Sequence, residues 1–147
     1  MTTIDSMFEL ATDLRDNGEL KTSVEVLLKI LDNYPNDKSL GIVYSVLGGV
    51  YDDLGERNNA LHSFKKATEL NPEYELASLW LYVTYASLDR DEEAISELFR
   101  FLKQFPAKLY KTTLEELIDG LKDGYMTNYK SEIIRLAKLN GVSPTNK

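Results

Sequence analysis

Residues 41–74 read GIVYSVLGGVYDDLGERNNALHSFKKATELNPEY, and the fold is decided in this stretch. Tyr44, Leu47, Gly48 and Tyr51 fall at three- and four-residue steps, and so do Ala60, Phe64 and Ala67. That spacing marks one face of an α-helix, twice over. Residues 53–55, which end on Gly55, break the first helix from the second. At the far end Asn71 and Pro72 predict a new helix, with the Asn side chain as its cap and the proline in its first turn. The stretch is therefore two helices joined by a tight turn.

The pattern recurs on both sides. Moving 34 residues on from Tyr51, Ala60, Phe64 and Pro72 lands on Tyr85, Ala94, Leu98 and Pro106. Moving back takes 37, and gives Met7, Leu10, Ala11, Leu14, Gly18, Ser23, Leu27, Ile30 and Pro35, with three extra residues near 36–40. Three copies thus span about residues 4–37, 41–74 and 75–108, the number a helical stack usually needs to bury its own core. Met7, Phe8, Leu10, Ala11 and Leu14 repeat the helical spacing in the first copy. Val24 to Leu31 carries a second helix, which should end near Asn33 ahead of Pro35. Connections this short force neighbouring helices antiparallel.

The last forty residues differ. Leu114, Leu117, Ile118 and Leu121 form one stripe, Asp123 and Gly124 break it, and Tyr129, Ile133, Leu136 and Ala137 form another, with Ile134 beside them. Residues 109–140 read as a capping hairpin, and 141–147 as a frayed tail. Residues 1–106 hold 10 basic and 19 acidic side chains, net −9, whereas 107–147 hold 7 and 5, net +2. The acidity belongs to the repeats.

Tyr44-x2-Leu47-Gly48-x2-Tyr51, followed by Ala60-x3-Phe64, Ala67 and Pro72, resembles the tetratricopeptide repeat, a 34-residue helix-turn-helix unit. Tyr44 stands where that family has tryptophan. The resemblance implies an all-α fold, a right-handed superhelical stack of antiparallel helical hairpins forming one domain over 1–147. It also implies a concave face, lined by the first helix of each hairpin, that holds a segment of another polypeptide. Mapped onto this chain, that face comprises Phe8, Thr12 and Arg15, then Ser45, Gly49 and Asp52, then Leu79 and Val83. Some relatives clamp acidic tails with Lys and Asn there; this chain has Phe8, Thr12, Leu76 and Trp80 instead, which disfavours such a ligand. The third copy departs from the family, with Tyr82 and Phe101 at small positions and Ser78 at an aromatic one. A hairpin splayed relative to its predecessor is expected. Its first helix is apolar nearly all round. Either neighbouring hairpins cover it, or part of it, especially Leu79, Trp80 and Val83, forms an apolar pocket for a partner.

Composition narrows the chemistry. The 147 residues suffice for one domain, and 43% apolar against 28% charged residues support a core. A net charge of −7 disfavours nucleic acid and anionic membranes. No cysteine is present, so disulfides, thiolate metal sites and thiol nucleophiles are excluded, and one histidine, His62, cannot build a two-histidine site. The N-terminal stretch has Asp5 where a secretory signal is basic, and no 18-residue apolar run occurs, so a cytoplasmic location is expected. His62 should point to solvent. Asp52-Asp53, Glu92-Glu93 and Glu115-Glu116 are adjacent, about 100° apart on a helix, and do not converge on one atom. No enzyme, cofactor or metal ion is expected.

Gly49 stands apart because packing accounts for Gly48, while a second glycine inside a helix costs roughly 0.5–1 kcal/mol relative to alanine. A close backbone approach by a ligand would explain it; a tolerated weak position would too. The groove, bordered by Asp5, Asp16, Asp52 and Asp53, favours a basic or amphipathic protein partner. The expected role is a non-enzymatic protein-binding module acting as adaptor, chaperone or inhibitor. Alternatives are an immunity protein neutralising a basic toxin such as a nuclease, a secretion chaperone, and a structural homo-oligomer meeting through the apolar third repeat.

Overall fold

The computed structural model describes residues 3–143, and these are helical hairpins in series. The elements are α1 (Ile4–Asp16), α2 (Leu20–Asn33), α3 (Leu40–Asp53), α4 (Arg57–Leu70), α5 (Glu75–Ser87), α6 (Asp91–Leu102), α7 (Tyr110–Lys122) and α8 (Lys130–Leu139), with a 3-10 turn at Thr127–Tyr129 before α8. No strand occurs among the described residues. No helix is long and apolar enough to cross a membrane. The chain opens on a reciprocal cap, in which Ser6 N–H donates to Thr3 Oγ1 at 3.1 Å and Thr3 N–H donates to Ser6 Oγ at 3.0 Å.

One turn closes every first helix of a hairpin. Backbone N–H groups reach five residues back, from Glu19 to Leu14, Glu56 to Tyr51, Arg90 to Tyr85 and Tyr125 to Gly120, at 2.8–2.9 Å. This geometry needs a left-handed residue just before the donor. Gly18, Gly55 and Gly124 supply it, and in the third copy Asp89 does so with φ 59°. Aspartate tolerates that conformation better than other side chains, which is how the third turn survives without glycine.

Two expectations at helix ends are corrected. Pro72 does not enter the first turn of α5; it sits in a turn closed by Tyr74 N–H donating to Asn71 O at 3.0 Å, a position proline's fixed φ suits. Nor does Asn71 cap α5. Its side chain occupies the space over Gly41, where a Cβ would lie 1.6 Å from Oδ1, and so ties the end of α4 to the start of α3. Val142, expected in a frayed tail, is only 6% exposed and packs on the C-terminal core. Its N–H donates to Ala137 O at 2.8 Å. The rest of the expected tail, residues 144–147, lies outside the described residues.

The tightest hairpin is α3/α4. Gly48 admits the ring of buried Phe64 so closely that a Cβ on Gly48 would lie 2.6 Å from the ring. α5 and α6 lie less closely along one another than α3 and α4, and they carry Tyr82 and Phe101 at the small positions. The volume vacated at Ser78 is filled from the next hairpin by Tyr110, whose ring packs 6.2 Å from that of Tyr82 and 5.6 Å from that of Phe101.

A buried polar chain accompanies this exchange of large for small. Ser78 Oγ–H donates to Glu97 Oε2 at 2.6 Å, so the 2.7 Å contact between Ser78 Oγ and Tyr110 Oη has the phenol donating. Glu97, 8% exposed, is held from its other side by Arg100, which also donates to Pro72 O. The last hairpin is fastened at two further points. Glu75 at the start of α5 accepts from the backbone N–H groups of Lys108 (2.8 Å) and Tyr110 (3.0 Å), and Asn140 Oδ1 accepts from Ala107 N–H.

Burial pushes the hydroxyls of Tyr110 and Tyr82 well above the ordinary tyrosine value. An unfolded chain releases these protons near pH 10, while the native chain keeps them, so their contribution is complete below about pH 10 and is lost as pH rises beyond it. Urea titrations at pH 8 to 11 should show stability falling at the alkaline end. Tyr110→Phe should flatten that fall; an unchanged slope would mean that Tyr110 ionises as freely as in water.

Candidate functional site

α1, α3 and α5 face a common groove, and its main cavity, about 310 Å³, lies between them. The floor is the ring of Phe64, the residue that also locks α3 to α4. Trp80 from α5 lies over it, ring centroids 6.5 Å apart and planes within 16°, leaving Trp80 42% exposed. Leu76 precedes Trp80 by one turn, Val83 follows by one, and both are exposed as well. They form an i, i+4, i+7 apolar stripe on α5. Val46, from α3, and Tyr74 complete the apolar wall.

The opposite rim is polar. Arg15 crosses from α1 to α3, where its Nε donates to Asp53 Oδ2 at 2.8 Å. Its guanidinium lies over the backbone at Gly49, 2.8–3.1 Å from where a Cβ would be. Asp52 lines the same cavity and makes no ion pair among the described residues. With Arg15 and Asp53 offsetting one another, the cavity keeps one uncompensated carboxylate beside an apolar floor.

Of the nine residues singled out from sequence, Arg15, Ser45, Gly49, Asp52 and Trp80 converge on this cavity. Val83 extends the stripe beyond it. Phe8 and Thr12 lie elsewhere on α1: Phe8 packs on the N-terminal core, and Thr12 donates to Glu9 O at 2.9 Å within its own helix. Leu79 is half-buried against the C-terminal core while Trp80 and Val83 are exposed, so of the two readings open for this helix, cover by neighbouring hairpins holds at Leu79 and not at the other two. No residue of that hairpin lines the cavity. The space at Gly49, for which a ligand's approach and a tolerated weak position were both open from sequence, is taken by the chain's own Arg15. Val46, Phe64 and Tyr74 were missed at this site, while Asp53 was placed only on the border of the groove and Leu76 only where a tail clamp would stand. Leu76 was legible in the i, i+4, i+7 spacing with Trp80 and Val83, whereas Phe64 was assigned wholly to the core and here serves both.

Among the described residues no three His, Asp or Glu side chains group as metal ligands, and His62 is exposed on α4.

Comparison with known proteins follows the same lines. A family model for the tetratricopeptide repeat matches residues 43–74. No curated protein sequence matches the chain. Among solved structures, a crystal structure of MamA is similar with TM-score 0.72 at 17% identity, covering 95% of this chain and 78% of that one. A second MamA structure has TM-score 0.62 at 18% identity, with 98% and 80% covered. The pilF protein of Pseudomonas aeruginosa has TM-score 0.68 at 15% identity; it is matched over 96% of this chain, which spans 63% of that protein's chain. At these identities the likeness shows the fold.

The two adjacent glycines should respond oppositely to alanine. Both gain about 1 kcal/mol of helix propensity. At Gly48 the new methyl must displace a buried ring, at about 1–3 kcal/mol, so Gly48→Ala should lower stability. At Gly49 it meets only the end of a flexible, half-exposed arginine, so Gly49→Ala should raise it. Urea denaturation of the two variants checks the pair, and equal signs would contradict this account.

Proposed function

From a chain whose central hairpin is a tetratricopeptide repeat, we propose a non-catalytic module that binds a segment of another polypeptide in the groove between α1, α3 and α5. The observation that carries this reading is the cavity itself. An exposed tryptophan, which folding alone would bury, is held flat over a buried phenylalanine with one unpaired carboxylate at the opposite rim. Exposed aromatic surface of this kind is where partners gain most binding energy.

The chemistry of the rim supports one class of ligand. An apolar side chain of the partner inserts between Leu76, Trp80 and Val46, while Lys or Arg from the same segment meets Asp52. The partner is therefore basic or amphipathic, and the −9 charge of residues 1–106 draws it in from a distance. An adaptor, chaperone or inhibitor role fits equally within this reading. The ligand for each is a polypeptide segment, and the partner's identity distinguishes them.

Trp80 is the only tryptophan and reports occupancy directly. Titration with a synthetic peptide alternating leucine and lysine should shift its emission to the blue as the indole leaves water. Binding should weaken with added salt, and Asp52→Lys should weaken it several-fold while leaving the helical circular dichroism intact. If Trp80 emission stays constant while the peptide binds, the groove is not the site.

A further inference from the structure

The two ends of the stack are finished differently. Within it, α2 lies along α3 and α4 along α5, so the second helix of each of the first two hairpins lies along the first helix of the next. The contact face of the later helix carries Val43, Leu47 and Val50 in one repeat and Ala77, Leu81 and Thr84 in the next, all buried. The same positions on α1, which has no preceding hairpin among the described residues, are Ser6, Leu10 and Asp13. Two of the three are polar, so that end is dressed for water.

The other end is not. Between α7 and α8 runs a cleft of about 240 Å³, walled by Ile118, Leu121, Ile134, Ala137 and Val142, with nothing from the first six helices lining it. Lys122, Lys130 and Lys138 stand around it. Lys122 is 3.7 Å from Asp119, whereas Lys130 and Lys138 make no ion pair among the described residues. The surrounding segment, 107–147, is net +2 in a chain otherwise net −9.

We propose that this cleft is a second docking site, which takes an amphipathic helix of another polypeptide carrying an apolar stripe flanked by Asp and Glu. A helix fits because a following helix is what the second helix of each of the first two hairpins supports, and among the described residues none lies along α8. Acidic flanks are set by the lysines, opposite in sign to what the α1/α3/α5 groove asks for. A second copy of this chain is a poor occupant. The exposed face of its α1 offers one leucine between Ser6 and Asp13, too little to fill five apolar walls.

The full chain, isotope-labelled for amide NMR, can be titrated with a synthetic helical peptide bearing leucines every three or four residues and glutamates on both flanks. The amides of Ile118, Ala137 and Val142 should shift. Affinity should fall roughly three- to tenfold between low and moderate salt. Replacing the glutamates by lysines should weaken binding about tenfold, and a Lys130→Glu, Lys138→Glu variant should reverse that preference. Both lysines are exposed, so the variant keeps its fold, which circular dichroism verifies. Equal binding of the two peptides, or shifts confined to the surroundings of Gly49 and Trp80, would overturn the proposal. So would concentration-dependent self-association that the double variant abolishes, which would make a second copy the occupant. Preferential binding to vesicles of mixed neutral and anionic phospholipid would overturn it as well, since the site would then be a lipid surface contact.

Discussion

The ring of Phe64 lies against α3 where a Cβ at residue 48 would stand, and α3 and α4 can pack so closely there because residue 48 has no side chain. That contact sets the spacing of the central hairpin, against which the flanking hairpins stack. It also fixes a surface. The same ring is the floor over which Trp80 stacks, so the packing that holds the repeat together also shapes the groove. Loss of the contact would displace floor and wall together. Packing and the shape of the groove are thus coupled through one aromatic side chain, which a contact between two purely internal residues could not achieve.

The groove divides its labour along sequence lines. α5 contributes apolar surface, α3 contributes carboxylates, and α1 contributes a guanidinium that spans to α3 and covers Gly49. An exposed ion pair of this type is worth only about 0–1 kcal/mol, so its main consequence is placement. It neutralises Asp53, shields the backbone of α3, and leaves Asp52 as the single carboxylate available to a partner.

Most of the fold could be read from the sequence because it is repeated. The helical stripes and turns of one copy, carried 37 residues back and 34 on, find their counterparts in the others, and local chain geometry sets the repeat length. The third and fourth hairpins were harder. Tyr82, Phe101 and Ser78 announced a departure from the pattern, but the compensation came from Tyr110, about thirty residues away, and no local periodicity encodes a pairing at that distance. The site was half legible for the same reason. Ser45, Gly49 and Asp52 follow from helix register. Whether Leu79 turns toward the groove or toward the last hairpin depends on where α7 and α8 pack, and whether Gly49 is vacant depends on the reach of Arg15 from another helix.

Glu75 sits at the start of one helix and satisfies backbone donors at the start of another, two helices later in the chain. A helix whose first N–H groups are met by its own side chains can fray or refold by itself. α7 cannot do so, since its cap belongs to the preceding hairpin. The third and fourth hairpins are therefore joined by these hydrogen bonds as well as by packing, and loss of order in α5 would leave the amides at the start of α7 without that partner. In a linear array this adds a polar link between neighbouring units, and it runs in one direction, from a side chain of the repeat to the backbone of the hairpin that follows.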